Sequence, residues 1–137
     1  MQVKDVMTVE VEMVGPEDSL KTAARMMADL DTGALPVGEE GRVVGMITDR
    51  DISVRAVAEG CDPDQTKVRQ VMSGDIRCCS EEDTIEQASR KMSEWQIRRL
   101  PVVDRNARLV GIVSLGDLAT AGATDPAAEA LQKISES

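Results

Sequence analysis

Gly45-Met46-Ile47-Thr48-Asp49-Arg50-Asp51 is answered further along the chain by Gly111-Ile112-Val113-Ser114-Leu115-Gly116-Asp117, at a shift of 66 positions. In each copy aliphatic residues suited to a strand lead to a hydroxyl, and a carboxylate follows three positions later. Reading outward toward the N-terminus, Leu35-Pro36-Val37 returns as Leu100-Pro101-Val102, and Asp18-Ser19-Leu20 returns as Asp83-Thr84-Ile85. Val6-Met7-Thr8 returns as Val71-Met72-Ser73, and Ala23, Met27 and Leu30 map onto Ala88, Met92 and Trp95, all at a shift of 65. The extra residue falls where Gly38-Glu39-Glu40-Gly41 faces Val103-Asp104-Arg105-Asn106-Ala107, both turn-like, where a change of length costs little. The chain is an internal duplication.

Each half reads as strand, helix, strand, strand, helix, which makes the fold class α/β (α+β). Val9–Val14 carries strand formers and stops at Gly15-Pro16; Leu20, Ala23, Ala24, Met27 and Leu30 then fall on one helical face, with Asp18 or Ser19 placed to cap. Leu35-Pro36-Val37 and Arg42–Thr48 read as two strands across a turn, matched by Leu100–Val103 and Leu109–Ser114. Asp49–Glu59 reads as a helix closed by Gly60. The boundaries drawn are a first repeat over 3–60, a linker over 61–67, a second repeat over 68–121 and a C-terminal tail over 122–137. In that tail Asp125 and Pro126 open a helix running to Glu136. A half of about 65 residues is marginal alone. Two halves packed sheet to sheet about a pseudo-two-fold axis would share a core and leave symmetric clefts, common places for small ligands.

Composition removes most enzyme chemistry. The 137 residues carry a net charge of −9 and include no histidine, tyrosine or phenylalanine and one tryptophan. Ser-His-Asp and Cys-His nucleophiles and histidine-liganded metal sites are therefore excluded, as is base stacking on an aromatic platform. The acidic balance argues against nucleic acid. No apolar run is long enough for a membrane span, and the opening Met1-Gln2-Val3-Lys4-Asp5 lacks a signal peptide's apolar stretch; the expected compartment is cytoplasmic. Cys61, Cys78 and Cys79 have no metal-site spacing and read as small apolar residues in a reducing environment, although the vicinal Cys78-Cys79 pair could sense oxidation.

The duplicated motif supports two compatible readings. Thr48-x-x-Asp51 and Ser114-x-x-Asp117 are capping boxes. In a cleft, the same groups offer a hydroxyl beside helix-terminal N–H groups, suited to phosphate, and a two-oxygen acceptor for both hydroxyls of a ribose. Phosphate beside a diol is what a ribonucleotide presents. The halves differ at one telling place: Arg98-Arg99 stands where the first half has Gly33-Ala34. A chain of net charge −9 must gather local cations to hold a polyphosphate. Arg98 and Arg99 are the first candidates, with Arg50 and Lys4 behind them; the alternative is that the arginines pair with Glu81, Glu82 or Glu94. One dominant site is expected rather than two equal ones.

The Val-Met-Thr opening, the Leu-Pro-Val strand and the Gly-h-h-(Ser/Thr)-x-x-Asp ending, all present in both halves, resemble a tandem pair of cystathionine-β-synthase (CBS) domains, the Bateman module. The resemblance covers residues 3 to about 120. It implies a β-α-β-β-α fold per repeat, two repeats packed through their sheets, and an adenosyl ligand between them: AMP, ADP, ATP or S-adenosylmethionine, with Mg2+ accompanying ATP and no obligatory cofactor. By position it implies that Thr48 and Ser114 contact phosphate or ribose and that Asp51 and Asp117 hold ribose hydroxyls. Val9-Glu10 and Cys78-Cys79-Ser80 would line the adenine, and Arg98 and Arg99 would meet phosphate, as basic residues there do in nucleotide-sensing relatives.

The expected function is that of a regulatory adenine-nucleotide-binding protein, not an enzyme, acting on an unknown client protein in trans. The resemblance also implies a homodimer, a flat disc of four repeats. The apolar set Ile52, Val54, Ala56, Val57, Leu118 and Ala121, larger than one half-repeat needs for its own sheet, is the local motive for that interface. The alternative is a ligand-free protein–protein adaptor of the same fold. Trp95 is expected in the core.

Overall fold

Ser19 starts the first helix. Its Oγ accepts from the Thr22 N–H at 3.1 Å and opens α1 (Leu20–Leu30), while the Asp18 carboxylate turns back to take the Gly15 N–H at 2.8 Å. Of the two candidate caps, Ser19 is the one used. The helix stops at Asp31, in the left-handed region at φ 51°. The chain then forms β1 (Ala34–Glu39), which pairs antiparallel with β2 (Arg42–Thr48). Glu40 and Gly41 between them both have positive φ, 54° and 81°, the pattern of the tight hairpin turn whose twist suits flanking strands. Helix α2 (Asp49–Asp51) follows at once.

The second repeat reproduces this with local substitutions. β3 (Cys79–Ser80) precedes α3 (Ile85–Trp95), where Thr84 and Gln87 form a reciprocal capping box and Gln96 closes the helix at φ 55°. β4 (Arg99–Val103) lies between β3, parallel to it, and β5 (Leu109–Ser114), antiparallel. α4 (Leu115–Thr120) follows β5 directly. The added residue is absorbed in the β4–β5 turn, where Asp104 Oδ1 accepts from Asn106 and Arg108 N–H at 2.8 and 3.1 Å.

The computed structural model describes residues 1–9 and 12–121. The chain divides into a continuous unit, Glu12–Ile76, and a split unit, Met1–Val11 with Arg77–Ser137. Two equivalent opening segments therefore sit in exchanged places. Val3 is fully buried among Ile85, Met92, Leu100 and Val113 of the second repeat; Val68, its counterpart, is buried among Leu20, Leu35 and Ile47 of the first. Hydrogen bonds repeat the exchange. The Val3 N–H donates to Asp83 O and the Val68 N–H to Asp18 O, both at 2.8 Å. Thr8 bridges Ile112 in the split unit, and Ser73 bridges Met46 in the continuous one. Each unit buries one aliphatic core with a single aromatic neighbour in the molecule, Trp95, packed partly buried against the split-unit core.

Three expectations change. Val9–Val14 forms no regular strand among its described residues; only Val14 bridges, parallel to Val37, because the chain turns away at Gly15-Pro16. Asp49–Glu59 is not one uniform α-helix: after Asp51 it continues as a π-helix over Ile52–Val57, ended by Gly60 at φ 77°. The surplus of apolar residues also shrinks. Ala56 and Leu118 are buried in their own units, and Ile52 and Ala121 pack against those cores, leaving Val54 and Val57 exposed at 47% and 59%. The helix expected over Asp125–Glu136 lies outside the described residues.

Candidate functional site

Both duplicated motifs close as complete capping boxes. In the continuous unit the Asp51 N–H donates to Thr48 Oγ1 and the Thr48 N–H to Asp51 Oδ2, each at 3.0 Å. In the split unit the Asp117 N–H donates to Ser114 Oγ at 3.0 Å and the Ser114 N–H to Asp117 Oδ2 at 2.9 Å. The hydroxyl and carboxylate of each pair are thus fixed at one end of the hairpin, partly buried. Each cap occupies one carboxylate oxygen, and Asp51 Oδ1 and Asp117 Oδ1 accept no hydrogen bond among the described residues. A carboxylate held by one oxygen with the other open is preorganised as an acceptor for a diol.

The residue ahead of the Leu-Pro-Val strand is stitched to the same helix start. The Leu115 N–H donates to Arg98 O at 2.8 Å, and in the other unit the Asp49 N–H donates to Gly33 O at 2.9 Å. Arg99 pairs directly with Ser114 across β4 and β5. The fold therefore brings Arg98 and Arg99 to the Ser114–Asp117 end of the split-unit sheet. Both side chains are exposed. Glu82, one of the partners considered for them, is engaged instead by Arg105 at 3.3 Å, and the Arg98 side chain has no ion pair among the described residues. Arg50 is exposed in the first turn of α2, where its N–H donates to Asp49 Oδ1 at 2.8 Å.

Other candidates land elsewhere. Val9, 71% exposed, directly follows Thr8, which is bridged to Ile112 of β5; this places it beside the strand that ends at Ser114. Glu10 lies outside the described residues. Lys4 is exposed in the 3-10 turn Val3–Asp5, and its N–H donates to Glu81 O at 3.0 Å, at the Val103 end of β4 rather than the Arg99 end. Cys79 is paired with Val102 and buried in the split-unit core. Burial pushes its thiol up to about 12, and burial also raises that of Cys78. Both sulfurs are thereby held as thiols, the unreactive form. Cys79 is a core residue, not a wall of the Ser114–Asp117 end. Ser80 opens the turn to α3: its Oγ accepts from the Glu82 N–H at 3.2 Å, and its N–H donates to Asp83 Oδ2 at 3.0 Å. Among the described residues no group of histidine, cysteine, aspartate or glutamate is arranged to hold a metal.

Asp49 stands outside the sequence-derived candidates, its place near Asp51 suggesting no acid–base role. Its carboxylate lies over Gly33, where an added Cβ would meet Asp49 Oδ2 at 3.0 Å. The signal was the pairing of the two differences between the repeats: Gly33 against Arg98, and Asp49 against Leu115.

Two like α+β repeats, each ending in a hydroxyl–carboxylate cap at the start of a helix, define an internally duplicated α+β module. The chain belongs to the CBS-domain family, whose model matches residues 3–56 and 68–124. It is 49% identical over 117 residues to the CBS domain-containing protein YhcV of Bacillus subtilis, covering 85% of this chain and 82% of that one. Among solved structures it is similar to the CBS domain pair of protein MJ0100 in complex with 5′-methylthioadenosine and S-adenosyl-L-methionine. That match has 28% identity and a TM-score of 0.72, over 88% of this chain and 94% of that one. It is also similar to CBSX2 of Arabidopsis thaliana in complex with AMP, with 25% identity and a TM-score of 0.72 over 89% and 96% of the two chains.

Proposed function

We propose that this CBS pair is a regulatory, non-catalytic protein that binds an adenosyl ligand, with its dominant adenine-nucleotide site at Ser114, Asp117, Arg98 and Arg99. The observation that carries the reading is the half-engaged Asp117 carboxylate: one oxygen caps α4 and the other accepts no hydrogen bond among the described residues, at the end of the sheet where the backbone of Arg98 and Arg99 meets Leu115 and Ser114. An open carboxylate takes a ribose diol, and neighbouring guanidinium groups take phosphate. The adenosyl ligands of the MJ0100 and CBSX2 structures support the same class. Thr48, Asp51 and Arg50 form the second, weaker adenosyl site, and Val9 borders the first. The protein acts as a cytoplasmic homodimer on a client protein in trans, and Mg2+ accompanies ATP when that is the ligand.

Calorimetric titration of AMP and ATP tests this. Asp117→Ala should weaken binding by about 1.5–3 kcal/mol, the range for hydrogen bonds to a charged group, or roughly tenfold to hundredfold. Asp51→Ala should cost less. Binding abolished by Asp51→Ala and kept by Asp117→Ala would assign the nucleotide to the other unit. A second reading, a ligand-free adaptor, draws on the fact that both aspartates already serve as caps. Wild-type protein that binds no adenosyl compound at millimolar concentration would establish it.

A further inference from the structure

The two motifs are built alike and charged oppositely. Gly33, Ala34 and Thr48–Asp51 correspond to Arg98, Arg99 and Ser114–Asp117. The first set holds Asp49, Arg50 and Asp51 and sums to −1; the second holds Arg98, Arg99 and Asp117 and sums to +1. The difference is structural as well as compositional, because the residues that differ are partners. In each unit one backbone hydrogen bond joins the position before the Leu-Pro-Val strand to the first residue of the helix, Asp49 to Gly33 and Leu115 to Arg98. In the split unit that junction joins an exposed arginine, Arg98, through its backbone carbonyl to an apolar Leu115, itself buried in the core. In the continuous unit it presents a carboxylate lying over a glycine, with one oxygen accepting from the Arg50 N–H. The Arg50 side chain forms no ion pair with it among the described residues, so the negative charge at this junction is not neutralised locally.

Resting on the adenosyl-binding reading, we infer that Asp49 sets the ligand class of the continuous-unit site: an adenosyl compound whose 5′ substituent is uncharged or cationic, with phosphorylated nucleotides rejected. The Asp51 acceptor for ribose is the same in both units, so adenosine recognition is shared and the 5′ group decides. A 5′-phosphate carries about −1.5 to −2 charge near neutrality. Beside Asp49 it meets a like charge, where a thioether meets none and a sulfonium meets an attraction. Like charges in close range at a protein surface repel even in water, and the phosphate's charge of nearly two multiplies the penalty. Tenfold or more in affinity follows.

The test uses the full chain and two probes that share adenosine, 5′-methylthioadenosine and AMP, titrated calorimetrically. Asp117→Ala disables the split-unit site and exposes the other. In that background 5′-methylthioadenosine should bind about tenfold or more tightly than AMP. Adding Asp49→Asn, which keeps an acceptor for the Arg50 N–H and removes the charge, should raise AMP affinity about tenfold and leave 5′-methylthioadenosine unchanged. Salt gives a readout free of the second substitution. Screening should strengthen AMP binding at the continuous-unit site and weaken it at the Ser114–Asp117 site of the wild type. Equal affinities in the Asp117→Ala protein, no response to Asp49→Asn, or no binding of either probe there while wild type binds AMP would each overturn the inference and leave the nucleotide site standing. Wild type binding neither probe would remove both.

Discussion

A single buried thiol shows how little local chemistry separates a ligand wall from a core residue. Cys79 stands where the first repeat has Val14, and both are buried on the strand position parallel to the Leu-Pro-Val strand. With its thiol raised from 9.0 to about 12, folded protein retains a proton that the unfolded chain has released. Stability is then fully present below about pH 9 and is lost as pH rises toward 12. Cys79→Val should remove that alkaline loss while costing under about 1.5 kcal/mol at neutral pH, as a near volume-conserving change. Melting curves of the two proteins at pH 8 and pH 10.5 would converge or cross. A constant offset between them would place the thiol in water. The aspartates behave differently: losing a cap costs about 1 kcal/mol, so Asp51→Ala and Asp117→Ala should both remain folded, and their binding defects can be read directly.

At the scale of elements, the repeat was legible down to the turn that absorbs its extra residue, because capping hydroxyls, hairpin glycines and helical periodicity are local signals. The exchange of opening segments was not. Val3 and Val68 precede matching residues, and their backbone partners Asp83 and Asp18 are matching residues too, so no local signal separates the two arrangements. The π-helix was equally hidden, since Ile52–Val57 has ordinary helix-compatible residues. At the site, the Ser/Thr-x-x-Asp pairs and the arginines were legible, while Asp49 became visible only once Gly33 was found beneath it. The exchange has a measurable consequence. Each valine is fully buried, so truncation to alanine should cost about 1.5–3 kcal/mol, the scale of burying a valine side chain. Val3→Ala should speed amide exchange in α3, and Val68→Ala in α1. The reverse pattern would return each segment to its own repeat.

For the whole molecule, the large apolar side chains left exposed among the described residues are Met1, Val9, Val44, Val54, Val57 and Ile76, and two of them share one element. Val54 and Val57 lie three residues apart on the π-helix and are 47% and 59% exposed. Between them Ala56 is buried against the continuous-unit core, while its neighbours Arg55 and Val57 are exposed. Two exposed valines alone are ordinary for a protein surface. Every other apolar residue of the set first considered for dimerisation, Ile52, Ala56, Leu118 and Ala121, packs within its own unit. The homodimer proposed above is expected to use these two. Light scattering at micromolar concentration should give twice the 14.8 kDa chain mass. Val54→Asp with Val57→Asp should give the chain mass itself, since a twofold axis places each introduced charge close to its own copy. Because both side chains are exposed, the double variant should keep the melting behaviour of an intact monomer. A dimer that survives it would move the interface off the π-helix; a monomeric wild type would leave the two valines to the client protein.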